Sequence, residues 1–267
     1  GGLLSVITLL RNDDKDCRIY ACICLANMTN SSRIRSLAIV HGSLPFLSNL
    51  IIENDQFLQK HAMMCLCNIA ANESNHEAIA RHEFLKHLVS TARKASYTEI
   101  QQLCALVVAN LTSNSDMIGK IAEHGGILLL IDLSKSNNVY FKFLAMTSLR
   151  HLALAVKYRE MLVSLGILET LCDAGHSVEV EIQREVASCL SVLSLSRGIR
   201  TQIVRVCFRE IASLLTSLDT ETARQAAGCL ASLTEQKECR DTVFNEIGDL
   251  LVDLLHHTDI GINREVS

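Results

Sequence analysis

The chain alternates short and long segments in which apolar residues recur at helical spacing, separated by brief polar stretches. The stretch "SLPFLSNLII" (43–52) shows this spacing, with Pro45 near its start, where a missing N–H has no cost. The polar "ENDQ" (53–56) interrupts it, and "FLQKHAMMCLCNIAAN" (57–72) continues as a longer helix. "ESNHEAIARH" (73–82) supplies the next short helix. This pattern predicts an all-α chain.

One polar position, which we call the ladder position, recurs inside the longer helices. Its occupants are Asn27, Asn68, Asn110, His151, Val192 and Ser232, at spacings of 41, 42, 41, 41 and 40 residues. Leu or Val lies two residues before each of them, and Met, Ile or Leu follows directly. Self-similarity at a period of about 40 residues is the signature of a solenoid, in which neighbouring repeats share one continuous core.

A glycine keeps the same period and opens most of the repeated units. The glycines are Gly1, Gly42, Gly125, Gly166 and Gly248, with Glu83 and Cys207 in the two remaining slots. We therefore predict one solenoid over 1–267. Its approximate units are 1–41, 42–82, 83–124, 125–165, 166–206, 207–247 and a partial unit 248–267. Each unit is expected to combine two short helices with a longer third helix.

The last residues suggest that the sequence is a fragment of a longer protein. "INREVS" (262–267) matches "IQREVA" (182–187), which precedes the ladder position of its own unit. We therefore expect the chain to stop inside an unfinished third helix.

Two segments carry a resemblance to a known family. "HGGILLLIDLSKSNNVYFKFLAMTSLRHLAL" (124–154) and "GILETLCDAGHSVEVEIQREVASCLSVLSLS" (166–196) resemble armadillo repeats, and the resemblance covers essentially the whole chain. HEAT repeats are the alternative, but the opening glycine and the "LxNL" pattern of the third helix favour armadillo repeats. The resemblance implies a right-handed α-solenoid whose third helices line a concave groove. Units four to six look most similar to the vacuolar-inheritance type and to armadillo-repeats-only proteins, which tether organelles through lipidated N-termini.

In armadillo proteins the ladder asparagine projects into the groove and hydrogen-bonds the main chain of an extended peptide. A carboxamide suits this role because it offers both a donor and an acceptor. Asn27, Asn68 and Asn110 match the ladder, so the resemblance implies a peptide site in the first three units. In the later units His151 could still bond a peptide, whereas Val192 could not. The alternative is that these asparagines bond only the backbone of a neighbouring repeat.

Other positions of the third helices could complete the groove. One turn before the ladder position lie Ile23, Met64, Leu106 and Thr147 in the first four units. Importin-α-type proteins carry Trp there, and the absence of Trp argues against classical nuclear import. The apolar series would suit a hydrophobic or amphipathic partner segment, unless it packs in the core. Arg184 and Arg224, eight residues before their ladder positions, could offer cationic contacts or lie on a solvated helix face.

Composition narrows the candidate partners. Only 4% of residues are aromatic, and the net charge of −4 is spread evenly, so we expect no nucleic-acid partner. No apolar run approaches about 18 residues, so we expect no direct membrane insertion. Cysteines recur three residues before the ladder position, at Cys24, Cys65, Cys189 and Cys229. We expect these to be buried core residues in a reducing compartment, without disulfides.

No catalytic motif accompanies this pattern. The chain contains no G-x-x-x-x-G-K-[ST], no G-x-S-x-G and no H-E-x-x-H. We therefore expect no enzymatic activity, no metal and no cofactor. The predicted function is a cytoplasmic scaffold or adaptor that binds an extended segment of a partner protein. The alternative is a structural or tethering element at an organelle surface or the cytoskeleton, anchored through missing termini or acting as a homodimer through other faces.

Overall fold

The computed structural model describes residues 1–81, 84–95 and 98–254. Glu83 and the segment 262–267, which entered the repeat prediction, lie outside the described residues. No described residue lies in a β-strand, so the prediction of an all-α chain is confirmed for this part. The helices form two compact units, residues 1–133 and 134–267.

Among its described residues the first compact unit contains ten α-helices, the last of which ends one residue beyond it. They are α1 (Gly2–Leu9), α2 (Lys15–Met28), α3 (Ser32–Val40), α4 (Ser43–Leu50), α5 (Gln56–Ala70), α6 (His76–Arg81), α7 (Phe84–Lys94), α8 (Thr98–Leu111), α9 (Ile118–Glu123) and α10 (Gly126–Ser134). The three longest, α2, α5 and α8, contain the ladder asparagines. In this unit α5 packs between α2 and α8.

The second compact unit contains seven helices among the described residues. They are α11 (Val139–Leu154), α12 (Arg159–Ser164), α13 (Ile167–Gly175), α14 (Val180–Ser194), α15 (Arg200–Leu215), α16 (Thr220–Thr234) and α17 (Lys237–Leu254). The third helices here are α11, α14 and α16, and α14 packs between the other two.

Side-chain caps explain where several third helices begin. Asp14 and Asp55 accept the backbone N–H three residues ahead at 2.9 Å, at the start of α2 and α5. Asn138 accepts from the N–H of Tyr140 at the start of α11, and Asp219 caps α16 in the same way. Each cap satisfies a donor that the first helical turn leaves without a partner.

The repeat pattern also locates the core. The apolar residues two positions before the ladder position are buried in every repeat: Leu25, Leu66, Val108, Leu149, Leu190 and Leu230. The predicted core placement is confirmed for Cys65, Cys189 and Cys229 and is wrong for Cys24, which is exposed. Cys65 packs on α2, where its thiol reaches the backbone of Cys22 at 3.1 Å.

The repeat glycine separates two helices only where its backbone is left-handed. Gly42, Gly125 and Gly166 have φ of 74°, 81° and 88°, and each lies between two short helices. A side chain makes this conformation costly. Cys207 therefore continues the helix, and α15 fuses the two short helices that the pattern predicts as separate. At Gly248 α17 also runs on, since glycine permits the left-handed turn without requiring it.

No described helix is by itself long and apolar enough to cross a membrane. The segments Val139–Leu154 and Val156–Ser164 are long and apolar enough only when taken together, and the chain bends by 109° between them.

Candidate functional site

Two of the ladder asparagines bond the backbone of the preceding repeat. The amide nitrogen of Asn68 donates to the carbonyl of Ala26 at 2.9 Å, and that of Asn110 donates to the carbonyl of Cys67 at 3.2 Å. Each acceptor comes directly before the previous ladder residue, so the interaction itself repeats. Because a carbonyl only accepts, the amide nitrogen must face it, which fixes the orientation of both side chains.

Some side-chain groups of the ladder asparagines have no hydrogen-bond partner among the described residues. Both Asn68 and Asn110 are half-buried, and no hydrogen bond to either Oδ1 is formed among the described residues. Asn27 is exposed and its carboxamide has no partner in the same part of the chain. The first compact unit therefore presents one free carboxamide and two free carbonyl acceptors on successive third helices.

The apolar positions one turn earlier flank this row. Ile23 and Leu106 are half-buried, and Met64 is 38% exposed. All three therefore pack partly against their neighbours and still present apolar surface to solvent. The sequence left core packing and an exposed track as alternatives, and the structure combines both.

The corresponding residues of α11 carry polar atoms without partners. Thr147 Oγ1 and His151 Nδ1, one helical turn apart, are buried and form no hydrogen bond among the described residues. Burial, with a smaller contribution from Arg150, lowers the pKa of His151 below its ordinary value. The imidazole is therefore neutral at neutral pH.

The two arginines expected to offer cationic contacts are engaged in ion pairs. Arg184 forms two hydrogen bonds to the carboxylate of Asp219, of 2.7 and 3.2 Å. Arg224 pairs with Glu221 on its own helix. The pKa of Asp219 lies well below its usual range, chiefly because of Arg184. Both guanidinium groups are therefore already paired with carboxylates of this chain.

Solved structures show what this arrangement of helices is. A computationally designed armadillo repeat protein for modular peptide recognition matches with a TM-score of 0.78 and 17% identity, over 86% of this chain and 99% of the other. A designed armadillo repeat protein in complex with the peptide (KR)4 matches with a TM-score of 0.75 and 18% identity, over 87% of this chain and all of the other. The chain has the armadillo-repeat fold. The architecture predicted from the repeat pattern is confirmed.

Sequence relatives agree with the armadillo-repeat assignment. Vacuolar protein 8 of Schizosaccharomyces pombe is 24% identical over 261 residues, which is 94% of this chain and 47% of the relative. Vacuolar protein 8 of Yarrowia lipolytica is 26% identical over 231 residues, or 80% of this chain and 39% of the relative. The chain thus spans less than half of either relative. Their name agrees with the vacuolar-inheritance resemblance of units four to six. No family model matches the chain.

The sequence analysis missed a second repeated contact of these armadillo repeats. In five repeats a basic residue lies eight positions after the ladder position. Its side chain donates a hydrogen bond to the backbone carbonyl six residues earlier, near the end of the third helix, at 2.7–2.9 Å. The donors are Arg35, His76, Arg159, Arg200 and Arg240. Ile118 occupies the remaining equivalent position. A basic residue at five of six equivalent positions was a signal that could have revealed the contact.

These basic side chains also connect successive armadillo repeats. Arg159 Nη1 donates to Ser196 Oγ at 3.0 Å, and Arg200 Nη2 pairs with Glu235 at 2.7 Å. Arg159 and Arg200 are themselves buried, so each holds the end of one third helix against the next repeat. The contact is structural and leaves the ladder residues accessible.

The described residues hold no cluster of metal-ligating side chains, and several of their cysteines are deeply buried. They contain no group of three or more His, Cys, Asp or Glu side chains placed to hold a metal ion. Burial raises the pKa of Cys22, Cys104, Cys189 and Cys229 to about 12, so these thiols stay protonated at neutral pH.

Proposed function

We propose that this chain is a protein-binding scaffold whose first compact unit takes an extended segment of a partner along α2, α5 and α8. The observation that carries the proposal is the free carboxamide of Asn27, followed by the unused Oδ1 atoms of Asn68 and Asn110. Asn27 could pair with both a backbone N–H and a C=O of the segment, and the other two could accept backbone N–H groups. Main-chain recognition of this kind demands no particular side chain.

The flanking apolar residues favour a segment with hydrophobic side chains. Ile23, Met64 and Leu106 accompany the three asparagines, and each retains some exposed surface. The likeness to a designed armadillo repeat protein in complex with a peptide supports the binding mode. It does not carry over the (KR)4 sequence, because a basic peptide needs free carboxylates, and Glu185, Asp219 and Glu221 are already paired with arginines of this chain.

The setting we propose is the cytoplasmic side of an organelle surface. Two relatives named vacuolar protein 8 support an adaptor role there. Fluorescence microscopy of the full-length protein tests the setting: a diffuse signal that colocalises with no organelle marker would contradict it.

The binding site is tested with a displayed library of random peptides selected on the chain. We expect Asn27→Ala to weaken the selected peptides by about 1–3 kcal/mol, the scale for a hydrogen-bonding group left unsatisfied. Because the Asn27 side chain has no hydrogen bond among the described residues, its loss should leave folding unchanged. The matched control is Asn30→Ala, an exposed asparagine just beyond α2. Equal affinities for wild type and Asn27→Ala would refute a ladder site.

A second candidate function, as a structural or tethering element, would use another surface. An apolar cavity of about 400 Å³ lies between the first turns of α11 and α14, lined by Val139, Tyr140, Phe143, Glu179, Glu181 and Ile182. Nearby Val178 is 90% exposed. The two glutamates form no ion pair among the described residues and would favour an apolar partner with basic side chains.

Two point mutations distinguish the two candidate functions. Tyr140→Ala should abolish a partner that uses the α11–α14 cavity and should not affect a peptide held by Asn27. Asn27→Ala should do the reverse. Sedimentation of the wild-type chain at several concentrations tests the homodimer form of the second candidate.

A further inference from the structure

Two cysteines of the second compact unit lie against each other where α13 packs on α15. The thiol of Cys172 lies 3.6 Å from the backbone carbonyl of Val206, and the thiol of Cys207 lies 3.5 Å from that of Leu168. Val206 directly precedes Cys207, and Leu168 is one turn before Cys172, so each thiol reaches the backbone beside the other.

The close approach of the two helices has a visible cause. Gly175 has no side chain, and a Cβ there would overlap the carboxyl group of Glu210 on α15. One helical turn closer to the N-terminus of each helix, the same approach brings Cys172 and Cys207 together. Cys207 occupies the slot where other repeats have the opening glycine, and this is why its thiol lies at the helix contact.

The two thiols differ in access to solvent. Cys172 is half-exposed, whereas Cys207 is fully buried. The neighbouring Cys207 thiol lowers the pKa of the Cys172 thiol, although burial and the nearby Glu210, Asp173 and Glu169 oppose this shift. The Cys172 thiol and burial both raise the pKa of Cys207.

A histidine and several carboxylates surround the pair. His176, on α13, lies 3.4 Å from Glu210 across the helix contact and also bonds the backbone carbonyl of Cys172. Glu169 and Asp173 flank Cys172 on its own helix. An accessible sulfur with a second sulfur behind it is the arrangement found in oxidisable thiol pairs.

We propose that Cys172 and Cys207 form a reversible oxidation site, in which Cys172 reacts with a hydroperoxide and Cys207 resolves the product to an intramolecular disulfide. The Cys172 thiolate attacks the O–O bond, an S–O bond forms, and the released hydroxide takes up a proton to leave as water. Cys207 then loses its proton and attacks the Cys172 sulfur, an S–S bond forms, and a second water leaves. Two thiols are oxidised by one hydrogen peroxide molecule, which gives two waters.

The disulfide would join α13 to the middle of α15, and therefore two successive repeats. Cys17 and Cys24 are exposed, but they are seven residues apart in α2, a rise of about 10 Å, which is too far for a bridge. They provide an internal control for oxidation without resolution.

The test treats the reduced chain with hydrogen peroxide and maps the peptides by mass spectrometry without reduction. We expect one linked pair, Cys172 with Cys207, that is lost in Cys172→Ser and reversed by dithiothreitol. In Cys207→Ser, Cys172 should instead stop at sulfenic acid and be trapped by dimedone, as Cys17 and Cys24 are in every variant. The oxidised wild type should also unfold at a higher temperature than the reduced form.

Three results would overturn the proposal. One is a Cys172 that stays reduced while Cys17 and Cys24 are labelled. Another is dimedone labelling of Cys172 that is the same in wild type and in Cys207→Ser. The third is a disulfide between other partners. Since Cys172 is half-exposed, Cys172→Ser should fold normally, so the test does not depend on the buried variant.

Discussion

At the scale of single residues, the ladder asparagines serve the fold and still leave groups for a partner. Asn68 and Asn110 hold the preceding third helix through their amide nitrogens, and their Oδ1 atoms remain free. The Ala26 carbonyl that accepts from Asn68 lies in the last turn of α2, where carbonyl groups have no N–H partner within the helix. Structural and binding roles are therefore divided between the two ends of one carboxamide.

This division predicts a stability effect for one asparagine and none for another. Asn68→Ala should lower the free energy of unfolding by about 1 kcal/mol, the net value of a hydrogen bond. Asn27→Ala should leave it unchanged, because the Asn27 side chain has no partner in the described structure. Urea unfolding followed by circular dichroism measures both. Equal midpoints for the two variants would show that the bond from Asn68 contributes nothing.

Asp219 predicts a pH dependence with a defined sign. Its pKa is lowered in the folded state by Arg184 and by the cap of α16, so the folded state favours the charged form. The resulting stability is present above the ordinary carboxyl pKa of about 4 and is lost as the pH falls below it. Asp219→Asn should therefore be less stable than wild type at pH 7, by about 1 kcal/mol. The difference should shrink in unfolding experiments below pH 4.

The matched control for this effect is Asp14→Asn. Asp14 caps α2 at the same distance but forms no ion pair among the described residues. A loss at pH 7 equal to that of Asp219→Asn would assign the effect to the cap and not to the pairing with Arg184.

At the scale of helices, one backbone conformation decides whether a repeat has three helices or two. Gly42, Gly125 and Gly166 turn the chain between two short helices. At Cys207 the chain does not turn, and α15 is one continuous helix. The absence of this turn also shapes the proposed oxidation site, because it leaves Cys207 in the middle of a continuous helix.

Opposite effects are therefore expected for two glycine-to-alanine substitutions. Gly42→Ala should destabilise the chain by about 1–2 kcal/mol, because a Cβ makes the left-handed conformation costly. No neighbour lies within 4 Å of the added Cβ, so the cost is conformational alone. Gly248→Ala, within α17, should stabilise by about 0.5–1 kcal/mol. Thermal unfolding of both variants checks the signs, and two effects of the same sign would contradict this account.

At the scale of the whole molecule, stability should be local. In repeat proteins each repeat depends mainly on its neighbours, so a defect spreads over a limited distance. Ion pairs between successive repeats, such as Arg18 with Glu53 and Arg150 with Glu185, follow the same nearest-neighbour order within each compact unit.

Leu66→Ala tests this locality. Leu66 is fully buried in α5, and its truncation should cost about 2–5 kcal/mol. Amide hydrogen exchange should show the largest loss of protection in α2, α5 and α8, and little in α14 and α16. Uniform loss across 1–133 and 134–254 would mean that the chain unfolds as one cooperative block.

The repeat, its period, the all-α class and most of the core could be predicted from the residues alone, because each of these depends on apolar spacing that recurs six times. The same spacing also located the ladder position and the glycine slots. Residues such as Leu25 and Leu66 could be assigned to the core without coordinates, since a periodic apolar face must be covered by its neighbours.

The role of each polar side chain depends on how the helices pack against each other. Sequence spacing could not show that Asn68 bonds Ala26, that Arg184 is neutralised by Asp219, or that Cys24 is exposed where Cys65 is buried. These outcomes depend on atoms 35 or more residues apart, brought together by the packing of successive helices. The same holds for Cys172 and Cys207, whose contact arises from the close approach that Gly175 allows.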